Sequence, residues 1–272
     1  CGVIFLCGFC GFMNKSDLVQ NDKIICSMVN RIKKRGPNAQ NVYIDENVAF
    51  GHARLSIIDV KNGNQPMIKD FNNNKYVIIY NGELYNTKEL RDDLISKGYT
   101  FSTSCDTEVV LNSYIHYGDD CVNLLNGIFA FAIYDKFNKN LFLARDRLGI
   151  KPLFYTISSK GTFIFSSEIK GLLEHPEVDA IIDKECIMEL FGLGPSHTPG
   201  RTFFKNIYEI KAGFLANYSL EYGLVKKMYW DLKTKENTDT TKDAIEQIHN
   251  LLCDATKRQL VSDVGICSML VA

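Results

Sequence analysis

Two pairs of short apolar runs, each pair joined by a tight polar turn, constrain the fold of this chain most. Ile128 to Tyr134 and Asn140 to Ala144 flank Asp135-Lys136-Phe137-Asn138-Lys139. Leu153 to Ile157 and Thr162 to Ser166 flank Ser158-Ser159-Lys160-Gly161. Runs of this length around such turns predict β-hairpins, and hence antiparallel sheet. Phe9 to Met13, apolar and glycine-punctuated, predicts a buried strand. Apolar runs follow at Val48 to Ile58 and Tyr76 to Tyr80, and strands resume near Ile207 to Ile210 and Gly213 to Tyr218.

Helical periodicity brackets these strands. Lys23 to Lys34 repeats Ile24, Ile25, Met28, Val29 and Ile32 and stops at Gly36-Pro37. Thr87 to Lys97 predicts an amphipathic helix with Leu90, Leu94 and Ile95 inward, a cap at Asn86 or Thr87, and an end at Gly98. Thr107 to Tyr117 predicts another, ending at Gly118, and shorter ones cover about Ser167 to Leu173 and Lys184 to Gly192. Lys233 to Lys242 is polar and helix-poor, a linker by composition. A helix from Asp243 to about Leu260 and a strand-like tail from Val264 follow it. Together these predict an α+β chain, with helices grouped against antiparallel hairpins.

Composition sets bounds. At 272 residues, 46% hydrophobic and with only 6 Pro, the chain can bury one large core or two modest ones and is neither disordered nor collagen-like. Lys and Arg (31) balance Asp and Glu (32), which argues against nucleic acid or an anionic membrane as partner. Nine scattered Cys read as reduced thiols, mostly buried, with no zinc spacing. The opening stretch is too short to cross a membrane and lacks a secretory pattern, so a cytoplasmic location is expected.

Five segments carry polar or reactive residues at unusual positions. They are Cys7-Gly8-Phe9-Cys10-Gly11-Phe12, Gly51-His52-Ala53-Arg54-Leu55-Ser56-Ile57-Ile58, Asn81-Gly82-Glu83-Leu84-Tyr85-Asn86, Ser104-Cys105-Asp106-Thr107-Glu108, and Arg145 to Leu153. Singly, each has a plain structural reading: core packing at Cys7-Gly8, a turn at Asn81-Gly82, a helix cap at Asp106. In this order they resemble the glutaminase domain of the class II glutamine amidotransferases. Phe191 to Gly200, followed by Lys205 to Gly213, is similar to the branch of glutamine-hydrolysing asparagine synthetases.

That resemblance implies a four-layer αββα N-terminal-nucleophile hydrolase sandwich. It implies Cys7 as nucleophile, with Asn81 and Gly82 holding an oxyanion and the missing Cβ of Gly82 allowing close approach. Arg54 would clamp the glutamine α-carboxylate, and Glu83 and Asp106 would surround its α-ammonium. Leu55, Ile57 and Ile58 would line the substrate loop. The glutaminase half would need no cofactor, whereas the full-length enzyme would use ATP and Mg²⁺ with aspartate, Leu270 bordering the ATP site. A homodimer is a further expectation. The Arg145 to Leu153 segment is read as structural, Cys10 as facing away from Cys7, and the scattered histidines as forming no triad.

The implied domains are an extension at 1–6, a glutaminase domain at 7–231, a linker at 232–242 and the stub of a synthetase domain at 243–272. The family pattern places Gly four residues after the nucleophile, which selects Cys7 (Gly11) over Cys1 (Phe5). Cys1 to Leu6 are expected to be a translated leader with Leu6 at a non-ATG start, or else a cleaved propeptide. With them attached, Cys7 lacks a free α-amine and low activity is expected. Val261-Ser262-Asp263-Val264 resembles the entry to the family's pyrophosphate loop, with Gly265 where Pro is expected. The competing expectations are another class II amidotransferase and a non-catalytic remnant.

Overall fold

A computed structural model describes residues 7–14, 21–55, 63–194, 198–236 and 238–260. Two six-stranded antiparallel sheets form the centre. The first holds β1 (Gly8–Met13), β2 (Ala39–Ile44), β3 (Val48–Arg54), β8 (Phe154–Ile157), β9 (Phe163–Ser166) and β10 (Tyr208–Glu209), in the order β10-β8-β9-β1-β3-β2. The second holds β4 (Met67–Phe71), β5 (Asn74–Leu84), β6 (Gly127–Asp135), β7 (Asn140–Arg145), β11 (Phe214–Ser219) and β12 (Gly223–Met228), in the order β12-β11-β7-β6-β5-β4. Both predicted hairpins form, as β6–β7 and β8–β9.

The sheets pack face to face through alternate residues of both, among them Phe9, Phe50, Ile79, Ala132, Leu143 and Phe165. The outer faces take helices. On the first sheet, Cys10, Phe12 and Ala53 pack against Ile25, Met28 and Ile32 of α1 (Asn21–Ile32) and Leu172 of α5 (Ile169–Leu172). On the second, Ile78, Phe131 and Phe142 pack against α2 (Thr87–Ser96), α3 (Asp106–Tyr117) and α4 (Cys121–Leu124). This is the αββα sandwich that the resemblance implied. Alternation along each strand and a single apolar stripe on each helix leave no other way to bury both sheet faces.

Three strands carried no sequence signal: β2, β4 and β12. Each is a sheet edge and half solvated, so charged and polar residues are tolerated there and the apolar alternation fades. Two details of α2 differ from expectation. Ile95 is 53% exposed, because Leu90 and Leu94 alone form the buried stripe and Ile95 sits about 100° further round. Neither Asn86 nor Thr87 caps the helix with its side chain. Asn86 instead donates to the Leu124 carbonyl (2.9 Å) and accepts from the Asn126 N–H (3.0 Å), and Thr87 donates to the Leu84 carbonyl (2.6 Å).

Beyond the sandwich, α6 (Lys184–Leu193) is capped by Asp183 and α7 (Thr241–Gln259) by Thr240. No described helix is long and apolar enough to cross a membrane. The expected leader and the tail from Val264 lie outside the described residues.

Candidate active site

Cys7 leads into β1 and shares its alternation with Phe9 and Met13, which point between the sheets, whereas Cys10 and Phe12 point at α1. The Cys7 Sγ accepts from the Leu55 N–H (3.2 Å) and lies 3.4 Å from the Leu55 carbonyl. The Arg35 guanidinium holds the Cys7 carbonyl (2.9 Å) and pairs with Glu168 (3.3 Å). Burial pushes the Cys7 thiol above its ordinary pKa, opposed by the Leu55 N–H and by the cations Arg54 and Lys151. Arg54, at the end of β3, is buried and donates to the Asn64 side chain (3.2 Å).

The opposite wall is β5. Its residues alternate between bonding β6 and facing the other way. Tyr80 faces the other way: its N–H donates to the Gln65 side chain (2.6 Å) and its carbonyl meets His52 Nε2 (3.1 Å). Leu84 faces the same side, its N–H donating to Asp106 (3.2 Å). Gly82 lies between them in the same phase. Its register partner Phe129 turns its own N–H and carbonyl to Asp146. β4 has already ended, at the Met67–Ile78 pair. The Gly82 N–H is thus left unpaired by either neighbouring strand, in a gap between two satisfied groups. Beside it, the Asn81 side chain is 1% exposed and its Nδ2 has no partner among the described residues. An unpaired buried amide costs about 1–3 kcal/mol, a cost that an added acceptor would relieve.

Gly82 is constrained by packing as well. A Cβ there would meet the Ile128 carbonyl at 2.6 Å and the Tyr80 hydroxyl at 2.7 Å. Glycine is therefore required by the strand's own neighbours, a reason the sequence did not disclose.

Asp106 is the first residue of α3 and does not cap it; Cys105 occupies the cap position. Its carboxylate instead reaches across to the Tyr80 hydroxyl (3.1 Å) and the Leu84 N–H. Burial raises its pKa to about 6, against the pull of those hydrogen bonds. Asp106 and Glu83 together line a cavity of about 330 Å³, closed from the far side by Arg258 and Gln259 of α7. Cys7, Arg54 and Asn81 do not line that cavity. Ile57, Ile58 and Leu270 lie outside the described residues.

The Arg145 to Leu153 segment is a polar knot. Arg145 donates to the carbonyls of Lys151, Ile210 and Gly149 and pairs with Glu209 (2.7 Å). Asp146 accepts from the N–H groups of Phe129, Leu148, Ile150 and Lys151. Its role in shaping the turn is evident. Sequence reading missed Tyr80, Gln65 and His52, which brace β5. Tyr80 sits inside an apolar run and Gln65 in a connection, so neither carried a local signal.

Acyl transfer calls for a nucleophile and for N–H donors to an oxyanion, and Cys7, the Gly82 N–H and Asn81 Nδ2 are groups of those kinds. Residues 6–230 match the glutamine amidotransferase domain family. The chain belongs to that family. It is 45% identical over 266 residues to the glutamine-hydrolysing asparagine synthetase 3 of Bacillus subtilis, a match covering 97% of this chain and 43% of that protein. Asparagine synthetase 1 of the same organism is 36% identical (97% and 42%), and a putative asparagine synthetase 2 of Methanocaldococcus jannaschii 33% (97% and 54%). The chain thus spans about half or less of these relatives' length. The glutamine phosphoribosylpyrophosphate amidotransferase of B. subtilis, solved with ADP and GMP, shares the fold with a TM-score of 0.59 at 18% identity, covering 84% of this chain and 50% of that one.

Proposed function

We propose that this chain is the glutaminase half of a glutamine-hydrolysing asparagine synthetase. It hydrolyses glutamine to glutamate and ammonia, and in a longer protein the ammonia converts aspartate to asparagine at the expense of ATP. The observation that carries the reading is a Gly82 N–H on the side of β5 left open by β4, together with a buried Asn81 Nδ2 that has no partner among the described residues.

The Cys7 thiolate attacks the carboxamide carbon, a C–S bond forms, and the carbonyl oxygen takes the electron pair. Asn81 and Gly82 donate to that oxyanion; removing one such donor typically costs about 10²–10³ in rate. The α-amine of Cys7, once Cys7 is the first residue, accepts the thiol proton and returns it to the leaving nitrogen as ammonia departs. An α-amine near pKa ~8 matches a thiol near ~8.5, so the transfer is nearly isoenergetic. Water then attacks the thioester, the same amine takes its proton, and glutamate leaves. Arg54 binds the α-carboxylate in a forked pair, Leu55, Ile57 and Ile58 line the substrate loop, and Glu83 and Asp106 bind the α-ammonium. An arriving ammonium favours ionised Asp106, offsetting the burial that raises its pKa.

ATP and Mg²⁺ belong to the second half of the reading, with Leu270 beside the nucleotide, and no step above passes through them. Residues 243–272 as the start of that half, residues 1–6 as an extension and a homodimer rest on the resemblance, and a cytoplasmic location rests on the composition of the opening stretch. The branch is supported by the three relatives named above, at 33–45% identity, which are glutamine-hydrolysing asparagine synthetases by name. The test is glutamate release from protein made to begin at Cys7. Release that disappears in Cys7→Ala supports the reading; a well-folded protein with Cys7 first and no release overturns it.

A further inference from the structure

His52 ties the two sheets together beside the open donors. It stands on β3 opposite Phe9, which follows Cys7 by two residues, and it precedes Arg54 by two. Phe9 and Phe50 point between the sheets, so alternation puts Cys7, His52 and Arg54 on that same inner face. Across the gap, Val77 and Ile79 of β5 point inward, which gives Asn81 the inner face as well. The imidazole spans the two layers, with Nε2 3.1 Å from the Tyr80 carbonyl.

A carbonyl can only accept, so Nε2 carries a proton and donates it. Burial keeps the ring neutral, its pKa pushed down to about 4, which leaves Nδ1 as a bare lone pair. Nδ1 is buried and has no partner among the described residues. A fully buried imidazole thus makes one hydrogen bond and leaves a second polar atom unsatisfied, a cost that an apolar side chain of the same size would avoid. What the one bond holds is the peptide that joins Tyr80 to Asn81. Because β4 stops at the Met67–Ile78 pair, no strand takes the free edge of Tyr80; His52 takes its carbonyl and Gln65 its N–H (2.6 Å). The next residue bears the unpartnered Nδ2, and the one after it the open N–H of Gly82.

We propose that His52 is a positioning residue: it clamps the Tyr80–Asn81 peptide from the nucleophile's own sheet and so sets where the Asn81 and Gly82 donors stand relative to Cys7. The proposal rests on the reading of Asn81 and Gly82 as oxyanion donors. It gives His52 no proton transfer and no part in ground-state binding, which falls to Arg54, Glu83 and Asp106.

The test compares His52→Leu, which loses the donor, with His52→Gln, whose side-chain N–H can replace it. Backbone amide exchange is followed by NMR in the full chain, and glutamine kinetics in protein made to begin at Cys7. In His52→Leu the Tyr80 and Asn81 amides should exchange at least about tenfold faster, because that segment opens more easily, while β6–β7 amides such as Ile133 keep their rates. The kcat should fall about 10–100-fold with KM unchanged, the mark of donors displaced from the transition state and not from the substrate. His52→Gln should restore both. Unchanged exchange at Tyr80 and Asn81 overturns the proposal, as does faster exchange throughout both sheets. So does an unchanged kcat, a loss carried by KM, or a His52→Gln variant as impaired as His52→Leu. Should His52→Leu not fold, His52→Phe is read the same way; if neither folds, the ring is structural and the proposal fails. Exchange needs no glutamine turnover. A wild-type chain silent toward glutamine would count against the proposed function, and exchange at Tyr80 and Asn81 would still decide whether the clamp exists.

Discussion

Arg145 and Asp146 complete their hydrogen bonds, whereas Asn81 and Gly82, one strand away, leave theirs open. The Asp146 carboxylate accepts four backbone N–H groups, and the Arg145 guanidinium binds three carbonyls and Glu209. Even the Arg145 carbonyl is taken, by the Tyr229 hydroxyl (2.7 Å). Across the strand pair, Asn81 Nδ2 has no partner and the Gly82 N–H faces a gap. Both regions are buried and both are rich in polar atoms. The difference lies in satisfaction: the fold itself meets the hydrogen-bonding groups of Arg145 and Asp146, and leaves those of Asn81 and Gly82 to be met by something added.

The sharpest way to test the division is to remove one group from each side and measure stability and activity together. Cys7→Ala should take glutamate release to background, a fall of at least roughly 10⁴-fold, while leaving the urea midpoint close to wild type. A large loss of stability would mean that Cys7 belongs to the structural set. Arg145→Ala should do the reverse. It removes a buried ion-pair partner of Glu209 and the donor to three carbonyls, two of them buried, so unfolding free energy should fall by about 3–5 kcal/mol in urea titration. If Arg145→Ala is as stable as wild type, the knot is not what holds the turn.

Asn81→Ala comes next. Its Nδ2 bonds nothing in the fold, so stability should hold within about 1 kcal/mol while kcat falls about 10²–10³-fold. An Asn81→Ala enzyme with unchanged kcat would return Asn81 to the structural side.

The smallest effect concerns pH. Asp106 rises from 3.8 to about 6 on folding, so the folded state binds this proton more tightly than the unfolded state. Its ionisation therefore destabilises the fold above pH ~6, and that penalty fades as pH falls through about 6 to 4. Roughly two units at 1.36 kcal/mol each is about 3 kcal/mol. Relative to Asp106→Asn, wild type should gain about that much stability between pH 7 and pH 4 in denaturant titrations. A constant difference across that range would show that Asp106 is settled in its site, like Asp146, and awaits no cation.

Much of this was legible in the residue order. Helices α1, α2 and α3 and the β6–β7 and β8–β9 hairpins follow from periodicity and Gly stops, which act over a few residues. The candidate residues Cys7, Arg54, Asn81, Gly82, Glu83 and Asp106 were legible only through the resemblance of the five ordered segments to a known family, because each has a plain structural reading by itself. Their geometry was not legible. Ile95 read as inward because it adjoins Leu94, yet only one stripe of α2 meets the sheet. Asp106 read as a cap because it opens a helix, yet its carboxylate is claimed by Tyr80 and Leu84, more than twenty residues earlier in the chain.

Sequence alone determined the hairpins, the amphipathic helices and the order of the polar segments, because each depends on backbone preference and side-chain spacing within a few residues. The tertiary structure decided which strands became edges, where β4 stops, and hence which N–H groups of β5 stay open. Whether a buried donor is satisfied depends on its neighbours in space, and for Gly82 those neighbours are Phe129, turned toward Asp146, and a strand that ends too soon to reach it.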